Sequence, residues 1–309
     1  MNSVGAGLII LAAVCFGTLG PISRFAEEAG VGALGLVTWR AGLGAAVMVG
    51  FLAARTALGH RPVVRLRNLP VKDRWMILAA AAANTILNLA VFIAFLRISI
   101  ALALLVFYLY PAFVALVSVA WFGERLDRLR WAALALSLAG MVLVVVGAGE
   151  LGQVDALGIG LAFVGAVMQS FYVLAARHGF ANVPGPQAAA MTMGGAMAFY
   201  LVIAIVTGQA AVIAQPLVGF DAFLPVLLAG VIGAGIPTVS YIGGIRLLGA
   251  PRASILATLE PVVGVGLAAL LLGEQPTLVQ LVGGALILGA AVLLQVRSRG
   301  EVADHEGVA

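Results

Sequence analysis

The sequence is short of charge, cysteine and histidine, and each shortage closes a class of function. Charged residues make up 10% of the 309 positions, against about 25% in an ordinary soluble domain. With 63% of the chain hydrophobic, a soluble core could not bury the apolar surface, so much of the solvent must be lipid. The one cysteine, Cys15, lies in the first apolar run and cannot form an intrachain disulfide. His60, His178 and His305 are scattered without metal-ligand spacing. Nucleophile triads, phosphate loops and paired carboxylates are missing too. No cofactor and no metal is expected. An intramembrane serine hydrolase would need a base within a span, and no histidine is there.

What is present is a series of ten apolar stretches, at about 5–23, 33–54, 75–96, 99–121, 130–148, 156–176, 187–207, 222–246, 252–272 and 278–296. Each is too long for a strand and lacks strict alternation, so each is expected to be a helix. Lipid-exposed backbone must satisfy its own hydrogen bonds, which points the same way. At roughly 20 residues per span, ten crossings with short loops fill the chain. The first stretch lacks the positive leader and cleavage pattern of a signal peptide, so it reads as a retained span. Glycine and alanine, abundant on these stretches, let helix backbones approach closely in lipid.

The net charge of +4 comes from bases that sit in alternate loops, so nucleic acid is not the expected partner. Fourteen Lys and Arg fall on one side: Arg55 to Arg74 after the second stretch, Arg125, Arg128 and Arg130 after the fourth, Arg177, Arg246, Arg252, Arg297 and Arg299. Arg24 and Arg97 fall on the other, and Arg40 lies within the second stretch. By the positive-inside rule both termini are cytoplasmic, in a multi-pass protein of the inner membrane.

An internal repeat runs through this plan. Tyr110-Pro111 is followed by Gly123-Glu124, and 150 residues later Glu260-Pro261 is followed by Gly273-Glu274 at the same spacing. Gly5-Ala6-Gly7 with Arg24 recurs as Gly158-Ile159-Gly160 with Arg177. The expected fold is all-α and integral to the membrane, with ten transmembrane helices in two inverted five-helix repeats. These occupy residues 1–150 and 151–297, with a short cytoplasmic tail at 298–309. Five is odd, so the second repeat enters the membrane from the opposite side, a plan that places binding sites near the midplane.

Of thirteen acidic residues, Glu260 alone lies well inside a span. An intramembrane acid is costly and marks a functional site by default. It could couple transport to protons or meet a cationic substrate, or it could be neutral or paired with a helix end beside the Pro261 kink. Arg40 could face an anionic substrate group, pair with an acid, or snorkel to the interface. Asn84 and Asn88, spaced i and i+4, share a helix face; they line a cavity or bond neighbouring helices. Tyr110, Gln169 and Tyr241 are further polar positions within spans, candidate cavity walls or packing residues. Pro111, Gly123, Glu124, Pro261, Gly273 and Glu274 form a structural frame: Gly suits a helix C-terminus and Glu the start of the next helix.

The segments ALALLVFYLYPAFVALVSVAWFGERL and ASILATLEPVVGVGLAALLLGE, within this ten-span plan, resemble the EamA-type transporters of the drug/metabolite transporter superfamily. The resemblance implies a bundle around a central cavity and export of amino acids or related small metabolites, proton-coupled or uniporting. A nucleotide-sugar or sugar-phosphate exchanger is the alternative within transport, and a non-transporting membrane sensor or scaffold the alternative outside it. The expected partners are the lipid bilayer and a small-molecule substrate, with the chain a monomer or homodimer. No enzymatic activity is expected.

Overall fold

The computed structural model describes residues 3–59, 64–95, 97–98, 100–147, 155–180, 182–272 and 276–306. Among these residues there is no strand. The helices are α1 (Ser3–Gly17), α2 (Leu19–Glu28), α3 (Ala33–Ala57), α4 (Val71–Phe95), α5 (Ile100–Phe107), α6 (Tyr110–Phe122), α7 (Arg128–Gly147), α8 (Ala156–Leu174), α9 (Gly185–Val206), α10 (Phe220–Gly230), α11 (Ile236–Leu248), α12 (Ala250–Ala257), α13 (Leu259–Leu272) and α14 (Leu278–Glu306). Among the described residues nine helical runs are long and apolar enough to cross a membrane, and a tenth apolar stretch, Leu278–Leu293, is shorter. This is a multi-pass membrane bundle. Trp75 and Trp121, near the ends of their runs, are largely exposed, as suits interfacial tryptophans.

Several runs are broken, and proline explains where. Proline has no amide hydrogen, so the carbonyl four residues back loses its helical donor. Helix α1 ends at Gly17, α5 at Phe107 and α12 at Ala257; Pro21, Pro111 and Pro261 stand four residues after these ends. At two of the breaks a threonine covers a nearby carbonyl. Thr18 Oγ1 donates to Cys15 O at 2.7 Å, and Thr258 Oγ1 donates to Ile255 O at 2.6 Å. Between α10 and α11 the run passes through a π-helical turn, Val231–Gly235. A second π turn, Ala175–Gly179, ends the α8 run. Such turns insert an extra residue and are frequent at functional sites.

The helices pack in a defined set of pairs. Helix α1 lies on α11 and α4 on α8; α3 lies on α9; α4 touches α9, while α3 touches α10 and the Val231–Gly235 turn. Helix α6 packs on α8 and on α12, and α1 on α13. Helices α7 and α14 form an extensive pair, touched by α5, α12 and α13. That pair touches backbone to backbone: a Cβ at Gly140 would lie 2.6 Å from the Gly283 carbonyl oxygen, and the reverse holds too. Only glycine permits this approach.

At the end of the bundle that holds the basic loops, side chains cap freed carbonyls. Arg246 donates to Val183 O at 2.6 Å and Phe180 O at 3.0 Å, with its guanidinium 5.8 Å from the Phe180 ring centre. Gln187 pairs with the backbone of Val64 in both directions, at 2.6 and 3.0 Å. Asn182 donates to the buried Asp73 at 3.0 Å.

Candidate functional site

The polar residues singled out within the spans converge where the broken helices meet. Arg40 stands on α3. Its Nε donates to Gly233 O at 3.3 Å, and its Nη1 donates to Asn88 Oδ1 at 3.2 Å. The sequence explains the first contact. Pro237 follows Gly233 by four residues, so it leaves that carbonyl without a helical donor, and the guanidinium takes its place. Arg40 therefore points into the bundle, not along the lipid towards the interface.

Asn88 is held in turn by α4 itself: its Nδ2 donates to Asn84 O at 2.7 Å and to Asn84 Oδ1 at 3.0 Å. The i, i+4 spacing thus builds a rail of two amides, with the Asn88 oxygen turned to Arg40. Tyr200 of α9, buried in the bundle, neighbours both Asn88 and Arg40. Nothing in the sequence around it, MAFYLV, sets it apart from packing aromatics, so only the fold reveals its place.

Glu260 occupies the first turn of α13, where an anionic group meets the positive end of the helix. The Tyr108 side chain is its neighbour. Arg40 is the cation whose field reaches it. Arg40, Asn84, Asn88, Gln169 and Glu260 are each only partly buried. Helix α1 closes one side: Gly17 brings its backbone so near that a Cβ there would lie 2.8 Å from Val263 and 3.1 Å from Glu260 O.

Aromatic rings form the remaining wall. Phe107, Tyr108 and Tyr110 lie with ring centres 5.4 to 6.0 Å apart. Tyr241 of α11 meets Phe16 of α1 edge-on at 6.2 Å. The Tyr241 hydroxyl faces Tyr110 and Gln169, yet it closes a hydrogen bond with neither. Ser170, one residue from Gln169, donates to Tyr110 O at 3.2 Å and fixes α8 against α6 at the break. All seven residues expected in the site, Arg40, Asn84, Asn88, Tyr110, Gln169, Tyr241 and Glu260, thus fall in this cluster, together with Tyr108 and Tyr200.

The frame residues divide. Pro111 and Pro261 sit in the first turns of α6 and α13 as breakers. Gly123 ends α6 in the left-handed conformation at φ 65°, which favours glycine. Glu124 does not serve the start of the next helix. Asp127 does, with Oδ1 accepting from Arg130 N at 2.9 Å. Glu124 instead lies 3.5 Å from His178 Nε2, whose ring stacks on Phe122 at 3.9 Å. Gly273 and Glu274 lie outside the described residues.

A separate groove of ≈ 430 Å³ opens between α2 and α10, lined by Ile22, Phe25, Glu28, Asp221, Leu224 and Leu228 among others. No residue of the central cluster lines it. Among the described residues no group of three or more His, Cys, Asp or Glu could hold a metal ion.

Known proteins share this organisation. An uncharacterized transporter of Archaeoglobus fulgidus is 26% identical over 290 residues, covering 94% of this chain and 95% of its own length. An uncharacterized transporter of Bacillus subtilis is 25% identical over 220 residues, 68% of this chain and 66% of its own. A Synechocystis relative, also an uncharacterized transporter, is matched over 58% of its length at 27% identity. A solved crystal structure has the same fold, with a TM-score of 0.80 at 24% identity over 97% of this chain and 99% of that one. With residues 3–146 and 156–296 both matching the family, the chain belongs to the EamA-like transporter family.

Proposed function

We propose that this chain is a secondary transporter of the inner membrane that exports amino acids or related small metabolites, with both termini in the cytoplasm. It works by alternating access between two inverted halves, residues 1–150 and 151–297, around a central cavity. The observation that carries the reading is that Arg40 and Glu260, a base and an acid well inside spans, stand within electrostatic reach of each other between broken helices. Isolated charges in this setting mark substrate or ion pathways, and half-helix ends near the midplane are where transporters of this plan bind.

The packing supports the inverted arrangement. If the first five spans are exchanged for the last five, the contact of α1 with α11 becomes that of α8 with α4. The contact of α4 with α9 becomes that of α10 and its π turn with α3, and α6 with α8 becomes α13 with α1. The pairs α3 with α9 and α7 with α14 map onto themselves. Such a set follows naturally from a two-fold axis in the membrane plane. Tyr110 and Glu260 are counterparts under this exchange, so the acid is where the halves differ.

In this reading Glu260 gains and loses a proton, or meets the cationic end of the substrate, as the site turns from one face to the other. Arg40 meets an anionic group, and Asn84, Asn88, Tyr110, Gln169 and Tyr241 line the path. The test is uptake of radiolabelled amino acids into proteoliposomes under an imposed pH gradient. Glu260→Gln should flatten the pH dependence. A Glu260→Gln protein whose pH profile matches the wild type removes the coupling role.

A further inference from the structure

We infer that the Tyr241 hydroxyl is a substrate contact that sets specificity, donating a hydrogen bond to an oxygen acceptor, such as a carboxylate oxygen, on the molecule held at the centre of the bundle. This rests on the transporter reading above and assigns one residue a chemical task within it.

The ground for it is an unspent donor in a confined place. Tyr241 is 3% exposed, and its hydroxyl has no hydrogen-bond partner. Burying a hydroxyl without a partner is costly, and folded proteins leave few such groups. Phenylalanine would fill the same volume without that cost.

The hydroxyl is also aimed. The ring has few degrees of freedom and is braced edge-on by Phe16. It projects towards Tyr110 on α6 and Gln169 on α8, and Glu260 on α13 is within its electrostatic reach. Four helices from both parts of the chain therefore surround one unpartnered O–H, with Glu260 within its electrostatic reach. Glu260 is an acceptor when ionised and Tyr241 a donor. Together they suit a ligand that carries a cationic donor at one end and an oxygen acceptor at the other, and Tyr241 reads the acceptor.

The test uses the full chain in proteoliposomes, with radiolabelled L-serine and L-alanine set against ethanolamine and ethylamine, the amines left when their carboxylates are removed. Tyr241→Phe keeps the ring and deletes only the hydroxyl. Expected are a melting temperature equal to or above wild type, a KM for the amino acid raised about tenfold or more, a maximal rate less affected, and a shrunken preference for the amino acid over its amine. Ligand-induced thermal shift in detergent gives the same comparison without transport. An unchanged KM and preference overturns the inference. So does a raised KM that comes only with a lowered melting temperature, which would mark a packing role. If the wild-type protein itself neither moves nor is stabilised by any of these compounds, the amino-acid reading fails and the inference falls with it. That outcome is read from the wild type alone.

Discussion

The carbonyl of Gly233, four residues before Pro237, accepts a hydrogen bond from Arg40 at 3.3 Å. A proline on one helix thus creates the acceptor that turns a charged side chain of another helix inward. The Val231–Gly235 π turn brings this carbonyl up to α3.

Pro237→Ala returns an amide hydrogen to that position. The Gly233 carbonyl then has a donor of its own helix, and Arg40 loses one charge-assisted partner. The expected result is a melting temperature equal to or above wild type together with transport reduced about tenfold, the size of one hydrogen bond to a charged group. Thermal unfolding and uptake measured on the same preparation check it. A loss of both stability and transport would contradict it.

The contact of α7 with α14 is set by two glycines. A methyl group at Gly140 would meet the Gly283 carbonyl oxygen at 2.6 Å and the Ile287 amide nitrogen at 3.0 Å. Both are backbone atoms and cannot rotate away. Gly140→Ala is expected to destabilise by about 1–3 kcal/mol, as overpacked cores do. Gly7→Ala is the control. No atom lies within 4 Å of its would-be Cβ, so higher helix propensity should leave stability unchanged or raised by up to about 1 kcal/mol.

Much of this architecture is legible in the chain because lipid leaves few alternatives. Apolar runs mark the helices, and Pro261 marks a kink, while the breaks four residues before Pro21 and Pro111 emerge only in the structure. Glu260 stands out for its chemistry alone. What cannot be read is which helix faces which. Whether Arg40 snorkels or turns inward depends on Gly233, 193 residues away. Tyr200 enters the site only because α9 packs on both α3 and α4. Glu124 was expected to serve the following helix, and its partner is His178, on an element whose approach no local pattern announces. Local signals specify where backbone hydrogen bonds are missing; tertiary packing decides which side chain supplies them.

Arg246 is one such supplier. Its guanidinium bonds the carbonyls of Val183 and Phe180 and lies over the Phe180 ring, while its own carbonyl accepts from Arg177 at 2.5 Å. Arg246→Met keeps a long apolar stem but strands two carbonyls. A loss of about 2 kcal/mol or more is expected, since each buried acceptor left unpaired costs about 1–3 kcal/mol. Arg246→Lys should recover only part, because a single ammonium cannot reproduce the planar fork. Thermal melts of the three proteins in one detergent give the ranking, and equal values for Lys and Arg would refute it.

The last prediction concerns pH at the opposite end of the bundle. Asp155 caps α8, with Oδ1 accepting from Leu157 N at 3.1 Å, and its other oxygen pairs with Arg97. Arg97 first, then the backbone donors, hold its carboxyl below the usual carboxylate range. A folded-state value below the unfolded one means the ionised form favours the fold. The contribution is therefore complete above the unfolded carboxylate value of about 3.9 and fades as the pH falls through the lower folded value. Asp155→Asn keeps a capping oxygen but gives up the charge. Its melting temperature should lie below wild type near neutral pH, with the gap closing below about pH 4. Raising the salt concentration should narrow the same gap at neutral pH, because this pair is solvent-exposed and screened. A gap that stays constant through the acid range would mean the charge of Asp155 does not contribute to stability.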